Sequence, residues 1–257
     1  MDLQLLRPVT LNDDYSDLAS WHEGKMILLD KPIEWTSFDL VNKCKLAFRF
    51  GLKVKKIKIG HAGTLDPLAT GLMVVLVGKY TKLTPEIHTF TKTYTGSLFL
   101  GATTPSYDGE RAIDAHFPID HIHPGLLVDT ARQFVGNIVQ FPPVFSAVKI
   151  DGKKAYIAAH KGKSVITRER SVDIFQFTID HIELPVVHFT VTCSSGTYIR
   201  TLVHDFGQAL QSGAYLTGLR RTRIGPWAIE DAMDIQAFSS KLASTIPTEI
   251  TLPQESN

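Results

Sequence analysis

Residues 26–29 form an unbroken apolar run closed by Lys31-Pro32, the length and ending of a buried strand. Thr36 or Ser37 then offers a cap for a helix in which Phe38, Val41, Cys44 and Phe48 recur at helical spacing. Further strands are expected at 55–59 and 72–77, a short helix near 79–87, and an alternating strand at 91–100 with Tyr94, Leu98 and Leu100 on one face. Residues 101–123 are polar and turn-rich. After them the pattern predicts a helix over 124–134 with Leu127, Ala131, Phe134 and Val135 as its core stripe. A strand from Ile138 runs to a bend at Phe141-Pro142-Pro143, and strands follow at 172–179, 182–184 and 187–193. Ser194-Ser195-Gly196 turns the chain into a helix carrying Tyr198, Arg200 and Leu202. A strand with Leu219, Arg220 and Arg221 and a short helix near 231–238 complete the pattern. No period of 20 to 50 residues recurs, which argues against a repeat architecture.

Composition narrows the class. The chain has 257 residues, 44% of them hydrophobic, enough for a full core in one large domain or two joined halves. Two cysteines imply no disulfide framework and fit a reducing cytoplasm. No apolar run approaches the length of a membrane span, and the N-terminus has no secretory pattern. The net charge of +1 conceals an uneven distribution: residues 24–229 hold 25 Lys and Arg against 16 Asp and Glu. Within that segment 43–58 has seven bases and no acid, and 149–170 has seven bases against Asp151 and Glu169. Two basic runs on either side of a candidate catalytic loop favour a groove that binds nucleic-acid phosphates.

That loop is GHAGTLDPLATG, residues 60–71, where the single acid Asp66 lies among apolar neighbours and three glycines permit tight folding. It is not a phosphate loop, because six residues separate Gly71 from Gly78-Lys79 and Tyr80 stands where a Ser or Thr belongs. Nor is it a metal site, since His61 and Asp66 have no neighbouring Cys or His to complete a ligand set. What remains is a carboxylate used directly. Cys193 reads as a packed thiol, and the histidines of 116–123 as incidental.

The string GHAGTLDPLATGLMVVLVGKYTK resembles the signature of the TruB family of tRNA pseudouridine-55 synthases. Also similar, in order, are LLDKP (28–32), KTY (92–94), FPPVFSAVKIDGKKAY (141–156), SSGTYIRTL (194–202) and GLRRTRIG (218–225). The resemblance implies an α+β architecture, the pseudouridine synthase fold, with a mixed and largely antiparallel sheet flanked by helices and an RNA-binding groove. It makes Asp66 the catalytic carboxylate, Arg200 the cation that faces it, and Tyr94 the ring that stacks on uracil and reaches a proton. His61 then contacts the RNA loop, Tyr198 and Leu219 wall the base, and Lys31 either supports the site or binds phosphate. In 101–123 the chain departs from its relatives: where many carry T-D-T-x-D, it has Thr103-Thr104-Pro105-Ser106-Tyr107-Asp108.

The implied reaction breaks the N1 glycosidic bond of uridine and rejoins the base through C5. It involves no redox change, so neither cofactor nor metal is expected. Three roles remain open to Asp66: attack on C1′ of the ribose, attack on C6 of the base, or removal of a sugar proton. The expected substrate is the T-arm stem-loop of tRNA, bound by a cytoplasmic monomer without a protein partner. Residues 1–24 read as an acidic extension, 25–229 as the catalytic domain with an RNA-clasping insertion at about 141–170, and 230–257 as an acidic tail without a PUA domain. Two alternatives remain, a synthase acting on another RNA and a non-catalytic protein that binds or folds tRNA.

Overall fold

The computed structural model describes residues 3–143, 149–150, 153–154 and 169–245, which form two compact units. Most of the expected RNA-clasping insertion lies outside the described residues; a two-stranded hairpin, Lys149–Ile150 with Lys153–Lys154, is what is described of its interior. No described helix is long and apolar enough to cross a membrane.

Unit 1 comprises 1–88 and 226–257. Helix α1 (Leu18–Glu23) precedes strand β1 (Lys25–Lys31), helix α2 (Ser37–Gly51), strands β2 (Ile59–Ala62) and β3 (Ala69–Val77), and helix α3 (Thr84–His88). β1 pairs antiparallel with β3 over its full length, from Lys25↔Val77 to Lys31↔Gly71, and the two-residue strand Met233–Asp234 joins it in parallel. That parallel pairing makes the architecture mixed. β2 also pairs with β3, beginning at Ile59↔Val77. The strand expected at 55–59 therefore starts only at Ile59, because β3 ends at Val77 and offers residues 55–58 no register partner.

Thr36, not Ser37, caps α2: its hydroxyl accepts from Asp39 N while the Asp39 carboxylate accepts from Thr36 N at 2.9 Å, a reciprocal capping box. The helix buries Leu40, Val41, Cys44, Ala47 and Phe48, but Phe38, expected in the core, is exposed in the first turn. The acidic ends of the chain contribute to this core. Tyr15, Trp21, Phe48 and Phe238 form an aromatic cluster with centroids 4.9–6.0 Å apart, mostly edge to face. Val9 N donates to Met26 O at 2.8 Å, which ties the leading segment to β1. The helix expected near 231–238 lies at Ile235–Ser244, since Asp234 accepts from Gln236 N and Ala237 N and fixes its start. It packs on the end of α2, where a Cβ at Gly51 would meet Leu242 O at 2.5 Å.

Unit 2, residues 89–225, is a five-stranded antiparallel sheet. Its elements are β4 (Lys92–Leu100), α4 (Pro124–Gln133), β5 (Gly136–Gln140), β6 (Arg170–Glu183), β7 (Val186–Cys193), α5 (Ile199–Ala209) and β8 (Ala214–Ile224). The order across the sheet is β8-β4-β7-β6-β5. The strands expected at 172–179 and 182–184 are one continuous β6, because a register shift between Ile179 and His181 absorbs the break in pattern without ending the pairing. Residues 102–103 and 115–116 close a small hairpin over the turn-rich stretch. Helices α4 and α5 cover the sheet: Phe206 lies 5.3 Å from Phe177 and 6.2 Å from Phe134, and Leu127 and Ala131 are buried, but Val135 is exposed beyond the end of α4. Cys193 is buried, and burial pushes its thiol up to about 11, as befits a packing residue.

Candidate active site

The Asp66 loop joins β2 to β3 in unit 1. Gly63, at φ +96°, adopts the left-handed conformation that lets the chain leave β2 sharply. Leu65 buries its side chain, and both of its backbone polar groups meet one hydroxyl: Leu65 N donates to Ser37 Oγ at 2.9 Å, and Ser37 Oγ donates to Leu65 O at 3.1 Å. Ala69 N donates to Asp66 O at 3.1 Å, closing a turn with Pro67 at its second position, where a fixed φ is favourable. Pro67 O accepts from Glu34 N at 2.8 Å. Asp66 is half-buried at the start of this turn.

Lys31, at the end of β1, is fully buried. Its ammonium donates to Trp35 O at 2.5 Å, Pro32 O at 2.9 Å and Pro67 O at 3.4 Å. The segment 31–37 therefore holds the Asp66 loop through a side-chain ammonium, a main-chain N–H and a side-chain hydroxyl. His61 lies in β2 opposite Val75, five residues ahead of Asp66, and is half-buried. Ser37 is a positioning residue that sequence reasoning treated only as a cap candidate; its pairing with a loop 28 residues away left no local signal.

The other expected site residues lie in unit 2. Tyr94 is buried in β4, opposite Val191 and Arg221. Lys92, two residues earlier on the same face, donates to Phe90 O; burial, assisted by the nearby Arg221 charge, pushes its ammonium down to about 8. Tyr198 occupies the position before α5, and its backbone is clamped by the Gln140 side chain, which accepts from Tyr198 N at 3.0 Å and donates to Tyr198 O at 3.2 Å. Leu219 lies half-buried in β8 opposite Gly96.

Arg200 is buried in the first turn of α5. Its Nη1 donates to Ser106 O at 3.3 Å and lies 3.5 Å from Asp108 Oδ2, which is also buried. The divergent stretch thus supplies a carboxylate to the arginine that the motif singled out. Asp108 was not among the expected site residues; an acid flanked by Tyr107 and Gly109 reads as a turn residue until α5 is placed against it.

Asp205, beside the Arg200 face of α5, has its carboxyl pushed up to about 6 by burial. The sign follows from linkage: below the ordinary Asp range the proton is bound in folded and unfolded chains alike, and the penalty grows between that range and about pH 6. A shift of that size corresponds to up to about 3 kcal/mol, which partial exposure reduces to about 1–2 kcal/mol. Asp205→Asn is therefore expected to raise the melting temperature at pH 8 and leave it unchanged at pH 3; equal melting at both pH values would contradict the burial account.

In unit 1, α2 and residues 54–58 line an open cleft of about 550 Å³ that includes Lys45, Arg49, Lys55, Lys56 and Lys58, with no acid in its lining. Such a surface neutralises phosphates and releases counterions. Replacing Lys55 and Lys56 by Gln is expected to lower the salt slope of RNA binding by about one unit per lost contact. An unchanged slope would make this a solvated face.

The profile of the TruB family pseudouridylate synthase N-terminal domain matches residues 49–199, and that of the tRNA pseudouridylate synthase B C-terminal domain matches 200–252. A tRNA pseudouridine synthase B of Flavobacterium johnsoniae is 50% identical over 222 residues, covering 86% of this chain and 96% of that protein. One from Phocaeicola vulgatus is 48% identical over 219 residues, covering 85% and 93%. Among solved structures, a chain of a Cbf5–Nop10–Gar1 complex superposes with a TM-score of 0.65 at 28% identity over 86% of this chain; the match spans about half (54%) of that longer chain. With family profiles covering most of its length, and relatives 48–50% identical to it over 85–86% of the chain, this protein belongs to the TruB family of pseudouridine synthases.

Proposed function

We propose that this protein isomerises the uridine at position 55, in the T-loop of tRNA, to pseudouridine. The observation that carries the reading is the near-full-length identity to relatives named tRNA pseudouridine synthase B, which extends across both units. The built Asp66 loop supports it, since a loop whose backbone on either side of Asp66 is held by Lys31, Glu34 and Ser37 is arranged for chemistry more than for a surface turn. Asp66, Tyr94 and Arg200 carry the reaction by the family pattern. Asp66 supplies the carboxylate, Tyr94 the ring and hydroxyl, and Arg200 the positive charge, while His61, Tyr198 and Leu219 receive the RNA loop and the base. The reactive atoms of a stacked uridine are inaccessible, so the base must leave its stack before the glycosidic bond breaks. The isomerisation itself transfers no electrons and uses groups that this chain provides.

The substrate is the T-arm, met by residues 25–229 acting as a cytoplasmic monomer; buried Cys44 and Cys193 without a disulfide suit a reducing compartment. The structural likeness to a Cbf5 chain is consistent with the fold, but its 28% identity is outweighed by 50% identity to the tRNA enzymes. The test is pseudouridine mapping after incubating the full-length protein with a T-arm stem-loop and with tRNA. Modification at uridine 55 in both RNAs is expected. Modification elsewhere would change the substrate, and none in either RNA would leave a tRNA-binding protein.

A further inference from the structure

Arg200 and His204 project from the same face of α5, four residues apart, and one short loop, residues 104–108, engages both. Arg200 takes Ser106 O and Asp108; His204 takes Tyr107, whose ring lies parallel to the imidazole with centroids 3.9 Å apart and planes 14° from coincidence. Tyr107 reaches that position only in the left-handed region, at φ +63°, a conformation that is strained for a bulky residue. The loop is built around this strain. Tyr107 N donates to Thr104 O at 3.1 Å, Leu216 N donates to Tyr107 O at 3.0 Å, and the Thr104 hydroxyl donates to Asp108 O at 2.7 Å. Reversal of the chain at Tyr107 sends its ring to His204 and brings the next side chain, Asp108, to Arg200.

The imidazole is used through its face. His204 Nδ1 is buried with no hydrogen-bond partner among the described residues, and Nε2 meets the Gln208 amide one turn along its own helix. An aromatic stack has directional preference and fixes a ring in orientation as well as in place. The stack thereby anchors the loop apex to α5 at a second point, beside the contacts of Ser106 O and Asp108 with Arg200.

We propose that the Tyr107–His204 stack is a latch that positions Asp108 on Arg200, making His204 a positioning residue for the family's arginine. The inference rests on the proposed role of Arg200 in catalysis. It also gives the divergent 103–108 sequence a task, with an aromatic latch fixing the acid that many relatives carry in a different local pattern.

The test uses full-length protein, a T-arm stem-loop, single-turnover rates and RNA affinity. His204→Ala is expected to slow the rate by about tenfold with affinity nearly unchanged, and His204→Phe, which keeps a stacking ring, to restore most of the rate. Tyr107→Gly accepts the positive φ without strain and lacks the ring, so it is expected to fold normally and show the same loss. His204→Ala combined with Asp108→Asn is expected to be no slower than Asp108→Asn alone, because both disturb one element. Wild-type rates for His204→Ala or Tyr107→Gly, failure of Phe to rescue, or losses that multiply with Asp108→Asn would each overturn the latch. Activity in Asp66→Asn would instead overturn the catalytic reading on which the latch rests, so the two failures are separable.

Discussion

Asp66→Asn is expected to bind T-arm RNA with nearly wild-type affinity and to lose turnover by more than about a thousandfold. The amide keeps the shape of the side chain, and it leaves intact the main-chain contacts that hold the loop at Asp66 O, Leu65 N and O, and Pro67 O. Folding and RNA affinity are therefore expected to survive. The ionised carboxylate does not survive, and each open route, attack on the sugar, attack on the base or proton removal, requires it. Single-turnover kinetics with a radiolabelled stem-loop measure the loss directly. A rate within about tenfold of wild type, equivalent to only about 1.4 kcal/mol, would remove Asp66 from the chemistry.

Lys31→Met is expected to have the second-largest effect. Methionine fills much of the same volume but leaves Pro32 O, Trp35 O and Pro67 O without their shared donor. Losing hydrogen bonds to a buried ammonium costs about 1.5–3 kcal/mol each in the upper range, offset in part by no longer burying a charge. A net loss of about 2–3 kcal/mol in stability is expected from denaturant unfolding. The Asp66 loop loses one of its holders, and a displacement of about 1 Å reduces turnover by about a hundredfold. The salt slope of RNA binding is expected to remain unchanged, since a fully buried ammonium has no surface to offer a phosphate. A slope lowered by one unit would instead identify Lys31 as a phosphate ligand.

Much of this was legible from residue order because local and long-range demands coincide. The apolar run at 26–29, the Thr36 cap and the alternation through Tyr94 each suffice to specify an element whose partner only reinforces it. The candidate site was legible where a motif contains the residue itself, as with Asp66. It was not legible where one residue serves another across the chain. Ser37 and Asp108 have ordinary local contexts and acquire their roles only when Leu65 and Arg200 arrive beside them. The terminal segments were less legible for a different reason: their acids set the composition, yet between those acids Trp21 and Phe238 pack on Phe48, and Tyr15 packs on Trp21 and Phe238.

That aromatic cluster also sets an order of events during synthesis. Phe48 and Trp21 leave the ribosome early, but Phe238 and Leu242, which cover α2, follow after all of unit 2 has been made. The five strands of unit 2 are contiguous in sequence and can pair as they emerge, whereas the Asp66 half must wait, with apolar surface uncovered, for a helix nearly two hundred residues downstream. A nascent chain halted before Ile235 therefore carries every family motif while Phe48 and the end of α2 still lack the cover of that helix.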